Sequence, residues 1–285
     1  MKKIGCLIYH YGKRYQEIGM CAKNSFYKHH PDIALHHVND ENSHLYNATK
    51  FFDKVPPGAH KYMLAAEIME KNRYNKIIVL GADTITCARL SEFLNDDEHD
   101  IIGTLDYPYP LYSGTLGLAP PGKHLNADVI CFNNTAPIVD IIKLTQQFKN
   151  YAEQGALNWI AWGGNYDYKV SIADGPYKTS AVVYNVRSKG NICLPKEYQD
   201  RADLRCEKPW GPYTNKFFVE NNRIYTGDEK QIKVWHYCEG LGNLKEEEFI
   251  KIMNNWIFKW FNKETRIFFK ENCNCGDFFE KEFTI

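Results

Sequence analysis

Asp83 stands just past an apolar run in "KIIVLGADTIT" (76–86), and Gly81 precedes it by two residues. In open α/β sheets ligands gather beyond the carboxyl ends of the strands. A carboxylate there suits a hard divalent cation that itself binds phosphate oxygens. Asp also serves as an ordinary turn residue at strand ends, so this position alone does not decide the chemistry. The sulfur chemistry is thinner. Nine cysteines occur without a Cys-x-x-Cys, and Cys273 with Cys275 is the one close pair. That spacing fits neither a zinc ribbon nor a disulfide framework, and most of the thiols read as buried small hydrophobes in a reducing compartment.

The elements that must hold Asp83 follow from periodicity. "IGCLIYH" (4–10) reads as a buried first strand. Residues 14–30 carry helical spacing through Ile18, Cys21, Ala22 and Phe26, ending before Pro31. "IALHHV" (33–38) is a second strand, and 58–73 places Tyr62, Ala65, Ala66 and Met69 on one helical face. Strand 76–80 follows at once. Strand–helix–strand–helix–strand predicts a parallel sheet with right-handed crossovers, the first half of a Rossmann-like fold. Further strands are expected at 100–105, 127–133, 180–186 and 232–237, and a helix at 137–150. "DYPYPLYSGTLGLAPPGKH" (106–124) reads as a surface loop with a task. Phe249, Ile252, Met253, Trp256, Ile257, Trp260 and Phe261 form an apolar stripe, read as a terminal helix docked on the core. A membrane-surface helix is the alternative, and seven basic against eight acidic residues in 245–285 weigh against it.

Bulk properties narrow the function classes. The 285 residues can bury a sizeable core, and 44% hydrophobic with 25% charged residues is ordinary globular usage. Lysine plus arginine and aspartate plus glutamate both number 35, which leaves no net field to gather nucleic acid. The N-terminal apolar run is too short for a signal peptide, and no stretch is long enough to span a bilayer. A soluble cytoplasmic protein is expected, without nucleic-acid partners.

Beyond "VLGADT", the segments "LNADVICFNN" (125–134), "YAEQGALNWI" (151–160) and "VWHYCEG" (234–240) keep the order and rough spacing of one family. On these four motifs, over roughly residues 1–245, the chain resembles the retaining glycosyltransferases of family 8, which include glycogenin and bacterial lipooligosaccharide galactosyltransferases. The resemblance implies an α/β GT-A fold, Rossmann-like, with a mixed central sheet flanked by helices. Residues 1–245 would form the catalytic domain, and 246–285 a C-terminal amphipathic helix and tail packed on it. It also implies a UDP-sugar donor, a glycan, glycoprotein or glycolipid acceptor, and Mn²⁺ or Mg²⁺ as cofactor.

The family's strand ends Asp-x-Asp. Its second Asp maps to Asp83, while Gly81 replaces the first. The family's metal-binding histidine maps to His236 in "WHYC". The resemblance therefore implies Asp83 and His236 as metal ligands with one carboxylate missing, a set that Mn²⁺ tolerates. Gln154 of "EQG" falls beneath the anomeric carbon, with Glu153 beside it. Asn126 matches a sugar-binding Asn, and Asp128 replaces a glycine, entering the candidate catalytic set with Gln154 and Glu153. A carboxylate or amide on that face supports an oxocarbenium-like transition state. Tyr9, His10 and Tyr11 end the first strand where the family contacts uridine, and Asn39 and Asp40 end the second. Ala82, Asp106, Lys61 and Lys245 complete the substrate-binding candidates. Lys61 lies near where the family carries an Arg, and Lys245 is offered for the diphosphate. Asp106 opens the loop whose Tyr107, Tyr109 and Tyr112 form a candidate acceptor platform. The losses at Gly81 and Gly155 leave open a degenerate scaffold that binds nucleotide or glycan without turnover. A sugar nucleotidyltransferase shares the sheet and the metal logic, but "YHYGKRYQ" (9–16) is a poor phosphate loop for it.

Overall fold

The computed structural model describes residues 2–12, 15–105, 119–120, 123–145, 152–173, 182–183, 186–187, 217–226, 229–236, 263–273 and 275. The first half runs β1 (Ile4–Tyr9), α1 (Gln16–His29), β2 (Ala34–Val38), three short 3-10 segments between residues 43 and 59, α2 (His60–Asn72) and β3 (Lys76–Gly81). There follow β4 (Thr84–Thr86), α3 (Ser91–Asn95), β5 (Ile101–Leu105), β6 (Leu125–Phe132), α4 (Ala136–Thr145), α5 (Ala152–Trp162) and β7 (Val170–Ile172). The later elements are β8 (Val182–Val183), β9 (Val186–Arg187), β10 (Phe217–Glu220), β11 (Arg223–Thr226), β12 (Gln231–Ile232), β13 (Val234–His236) and α6 (Lys263–Cys273).

The fold is mixed α/β, with a central sheet in the order β2-β1-β3-β6-β5-β7 flanked by helices. β1 pairs in parallel with β2 and with β3, as the strand–helix–strand order requires. β6 runs antiparallel between β3 and β5, and β5 is parallel to β7. The chain thus crosses from β2 to β3 over β1, which puts the topological switch point between the ends of β1 and β3. Tyr9 and Gly81 are register partners at that point.

Alternate residues feed two cores, because successive side chains of a strand point to opposite faces. Leu7, Ile77, Val79, Ile130 and Phe132 face α2, α4 and α5 in one buried cluster with Tyr62, Ile68, Ile141 and Leu157. Cys6, Ile8, Ile78, Leu80, Val129 and Cys131 face the other way, onto Ala22 and Phe26 of α1 and Phe93 of α3. Burial on both faces explains why β3 reads as an unbroken apolar run. Lys76 opens that strand yet is fully buried. Its ammonium donates to the carbonyls of Phe93 (2.6 Å), Asp96 (2.7 Å) and Leu94 (3.2 Å), satisfying carbonyls at the end of α3.

The second half is built of shorter strands than the periodicity predicts. The expected strand 232–237 is split at Lys233 into β12 and β13, which belong to different sheets. The described parts of the expected strand 180–186 are β8 and β9, again in different sheets. The apolar stripe of 249–261 lies outside the described residues, as do 146–150 of the expected fourth helix and the tyrosines of the 106–118 loop. α6 packs against α1, β10 and β11, with Phe268 and Phe269 buried. A Cys21–Cys275 disulfide joins α1 to the chain just beyond α6, whereas Cys6, Cys87, Cys131 and Cys273 are free, buried thiols. No helix among the described residues is long and apolar enough to cross a membrane.

Candidate functional site

β3 must end at Gly81 because the chain turns there. The Thr84 hydroxyl donates to the Gly81 carbonyl (2.7 Å) and closes the turn that carries Asp83. β4 then pairs antiparallel with β13, setting His236 opposite Thr84. That pairing carries the imidazole, from far along the sequence, to Asp83. His236 Nε2 lies 3.2 Å from Asp83 Oδ1, with the histidine buried and the carboxylate only 18% exposed. Behind them Trp235 packs edge-on against Phe269 of α6 (5.5 Å between centroids, 89°), so the C-terminal helix backs the strand that holds the histidine.

β6 lies beside β3 and brings Asn126 and Asp128 to the same end of the sheet. The Asn126 side-chain oxygen accepts the Asp128 N–H (2.8 Å), which shapes the strand at this point. Asp128 is ion-paired with Lys61, whose side chain is only 11% exposed. Lys61 is therefore no solvated helix lysine. Its burial disfavours the ammonium, but the Asp128 carboxylate, Tyr62 and Glu153 together hold its pKa above the ordinary value. The Tyr62 hydroxyl donates to the Ala127 carbonyl (3.1 Å), fixing α2 against β6 from the next position.

α5 supplies Glu153 and Gln154. The Gln154 side-chain oxygen accepts the Ala127 N–H (3.2 Å), and its amide nitrogen donates to His124 Nε2 (3.1 Å). One turn on, buried Asn158 accepts from the Leu125 N–H (2.8 Å) and donates to the Leu125 carbonyl (3.0 Å). Two amides thus stitch α5 onto the strand that carries Asn126 and Asp128. The Glu153 carboxylate lies directly against Gly58, where a Cβ would collide with it, so the glycine makes the room.

The ends of β1 and β2 form a separate wall. The Asp40 carboxylate accepts the Gly12 N–H (2.9 and 3.2 Å), closing the chain where Gly12 takes φ +93°. Asn39 accepts the Glu41 N–H with its side chain (3.0 Å) and donates its own N–H to Asn42 (2.9 Å). His10 and His37 approach to 3.0 Å between their Nε2 atoms, so one ring donates and the other accepts. Burial lowers both pKa values, that of His37 to about 4, and the pair is neutral at pH 7. Tyr9 packs edge-on to Phe52 and His60, whereas the Tyr11 ring is 67% exposed. Burial, then the charge of Asp40, pushes the Tyr9 hydroxyl up to about 12.

The structure therefore brings Asp83 to His236, and Lys61 to Asp128 beside Glu153. Gly81 lies between the two pairs, and Ala82 is buried in the turn. Asp106 and Lys245 lie outside the described residues. Sequence motifs did not single out Asn158, His124 or His37. Their roles depend on partners 33, 30 and 27 residues away, and no local pattern marks such pairs.

A divalent cation fits the donor chemistry at Asp83, a carboxylate oxygen and an imidazole nitrogen facing each other in a largely buried setting. Among the described residues no three His, Cys, Asp or Glu side chains are gathered as a ready-made set, so the protein alone does not complete the coordination.

No family model matches the chain, and no curated protein matches it in sequence. Among solved structures it is similar to the galactosyltransferase LgtC in complex with donor and acceptor sugar analogues (16% identity, TM-score 0.48, covering 93% of this chain and 99% of that one). It is also similar to mouse xyloside xylosyltransferase 1 (11% identity, TM-score 0.46, 85% and 99%). A third is a glycosyltransferase involved in glycosylation of the major capsid of PBCV-1 (12% identity, TM-score 0.47, 88% and 98%). At this level of similarity nothing about substrate or reaction passes from those proteins to this chain.

Proposed function

We infer that the protein is a glycosyltransferase moving a hexose from a UDP-sugar to a hydroxyl of a glycan, or of a glycosylated protein or lipid, with retention at the anomeric carbon. One observation carries the reading: Asp83 and His236 meet at 3.2 Å beyond the carboxyl end of β3, beside the switch point between β1 and β3. The order of the four sequence motifs supports it.

Asp83 and His236 would hold a divalent cation, Mn²⁺ or Mg²⁺, which when bound would supply positive charge to the diphosphate leaving group. Lys61 adds a second, fixed positive charge. Asn126 and Asp128 orient the sugar, and Gln154, anchored on Ala127, lies across the ring from the leaving group with Glu153 beside it. A glutamine is a poor covalent nucleophile. The acceptor oxygen therefore bonds to C1 on the face the phosphate leaves, and its proton passes to the departing phosphate. Tyr9, His10 and Tyr11 with Asn39 and Asp40 form the nucleoside wall.

The experiment is incubation of the purified protein with a panel of UDP-hexoses and oligosaccharide acceptors in Mn²⁺. The new glycosidic bond is then read by NMR. A product with the donor's anomeric configuration is expected. UDP binding without donor consumption would mean a binding scaffold, and pyrophosphate release from UTP and a sugar phosphate would mean a nucleotidyltransferase.

A further inference from the structure

The Gln154 amide is held at both of its ends, and the chemistry of its two partners says which end is which. The Ala127 N–H can only donate, so the amide atom 3.2 Å from it is the oxygen. The amide nitrogen can only donate as well, and it meets Nε2 of His124 at 3.1 Å, so that ring nitrogen must accept. The ring proton of His124 therefore sits on Nδ1. His124 is buried and stands one residue before Leu125, which Asn158 of α5 binds through both its N–H and its carbonyl. The same Asn158 amide donates to the Gln154 carbonyl (2.9 Å). Gln154 and its histidine partner are thus tied to one another by backbone as well as by side chain.

We propose that His124 is a positioning residue for the transfer, holding the Gln154 amide with its oxygen end on the strand that carries Asn126 and Asp128. This rests on the glycosyl transfer inferred above and adds a residue to it. A single bond to Ala127 would let the amide swing about its oxygen, whereas a second bond at the nitrogen fixes its plane. Orientation matters because an amide is a dipole. With the oxygen on Ala127, the negative end lies at the residue between the two assigned to the sugar, on whose ring positive charge grows as the bond to phosphate breaks. An amide swung the other way would turn its N–H end there and oppose that charge. The benefit arises in the transition state, so it belongs to kcat and not to donor binding.

The test uses the full chain and has a structural and a kinetic arm. Heteronuclear NMR of protein labelled at its histidine nitrogens, without donor, reads the His124 tautomer independently of turnover. The resonance is assigned by its loss in the His124 variants. A proton on Nδ1 is expected, and Gln154→Glu is expected to move it to Nε2, because a carboxylate only accepts. A wild-type ring protonated at Nε2 alone would overturn the proposal. In the kinetic arm, His124→Phe keeps a ring and loses the acceptor. Its kcat is expected to fall at least about tenfold with the donor KM within about threefold of wild type. His124→Gln returns an acceptor oxygen and is expected to recover most of that rate. Should His124→Phe not fold, His124→Met replaces it. An unchanged kcat in the variant without an acceptor would overturn the proposal and leave the transfer reading intact. Equal losses with and without the acceptor would also overturn it, since the ring would then only fill space. Wild-type protein that transfers no hexose would remove the transfer reading, and the positioning role with it.

Discussion

Asp83, Lys61 and Asn158 show how far single residues can be read. Asp83 was legible because a carboxylate follows a fully buried strand, at the end of an α/β sheet where ligands commonly gather. Lys61 was legible only as a position. Its sequence setting is that of any helix lysine, and the Asp128 partner 67 residues away makes it one half of a half-buried ion pair. Asn158 was invisible, because an amide that reads a strand's backbone leaves no periodic trace. Its substitution is informative. Asn158→Leu strands the Leu125 N–H and carbonyl, and the expected loss is about 1–3 kcal/mol for each buried group left unpaired, read from urea unfolding. Gly81→Ala tests the crowding with a single methyl. Overpacking against Asp83 and Asp128 is expected to cost about 1–3 kcal/mol, read from urea unfolding.

At the scale of elements, α1 and the strands it covers were readable because both faces of the sheet are buried and the helix has a clear apolar stripe. The end of α1 adds a pH dependence. The Leu90 N–H donates to His30 Nε2 (2.9 Å), so the ring proton sits on Nδ1, toward the Phe26 carbonyl (3.3 Å). A second proton would break the Leu90 bond. Burial, opposed in part by the Phe26 carbonyl, holds the His30 pKa at about 4 against an ordinary 6.5. Between those values the unfolded chain takes up a proton that the folded chain refuses. Stability is therefore full above about pH 6.5 and falls as pH drops toward 4, by about 3 kcal/mol from this residue at about 1.4 kcal/mol per pH unit. Urea midpoints from pH 8 to 4.5 check this, and His30→Gln is expected to flatten the acid limb. His29 and His37, each lowered to about 4, and His10, His36 and His60, lowered by burial as well, add to that slope. The short strands β4, β9, β12 and β13 were not resolved by periodicity, since two or three residues cannot display a period. They are nevertheless the elements that deliver His236.

At the scale of the molecule, the order of the first three strands predicted the parallel half of the sheet, the resemblance implied that the whole sheet is mixed, and the antiparallel insertion of β6 was not foreseen. The tie between the two ends of the chain was not foreseen, because spacing cannot pair cysteines 254 residues apart. Cys21–Cys275 closes that long loop and secures α6, whose Phe269 backs Trp235 next to His236. Reduction, or Cys275→Ser, is expected to cost about 2–4 kcal/mol, seen as a lower melting temperature that reductant no longer changes in the variant. Since α6 supports the strand of His236, donor affinity is expected to fall with it.

The most direct measurement is UDP release from the preferred UDP-hexose in the presence of acceptor, with Mn²⁺ or with chelator, for wild type and Asp83→Asn. Release that requires Mn²⁺ in the wild type, and is at least about a hundredfold slower in the variant, is expected if Asp83 holds the ion that stabilises the leaving diphosphate. Equal rates in the two proteins, or release unaffected by chelator, would contradict it.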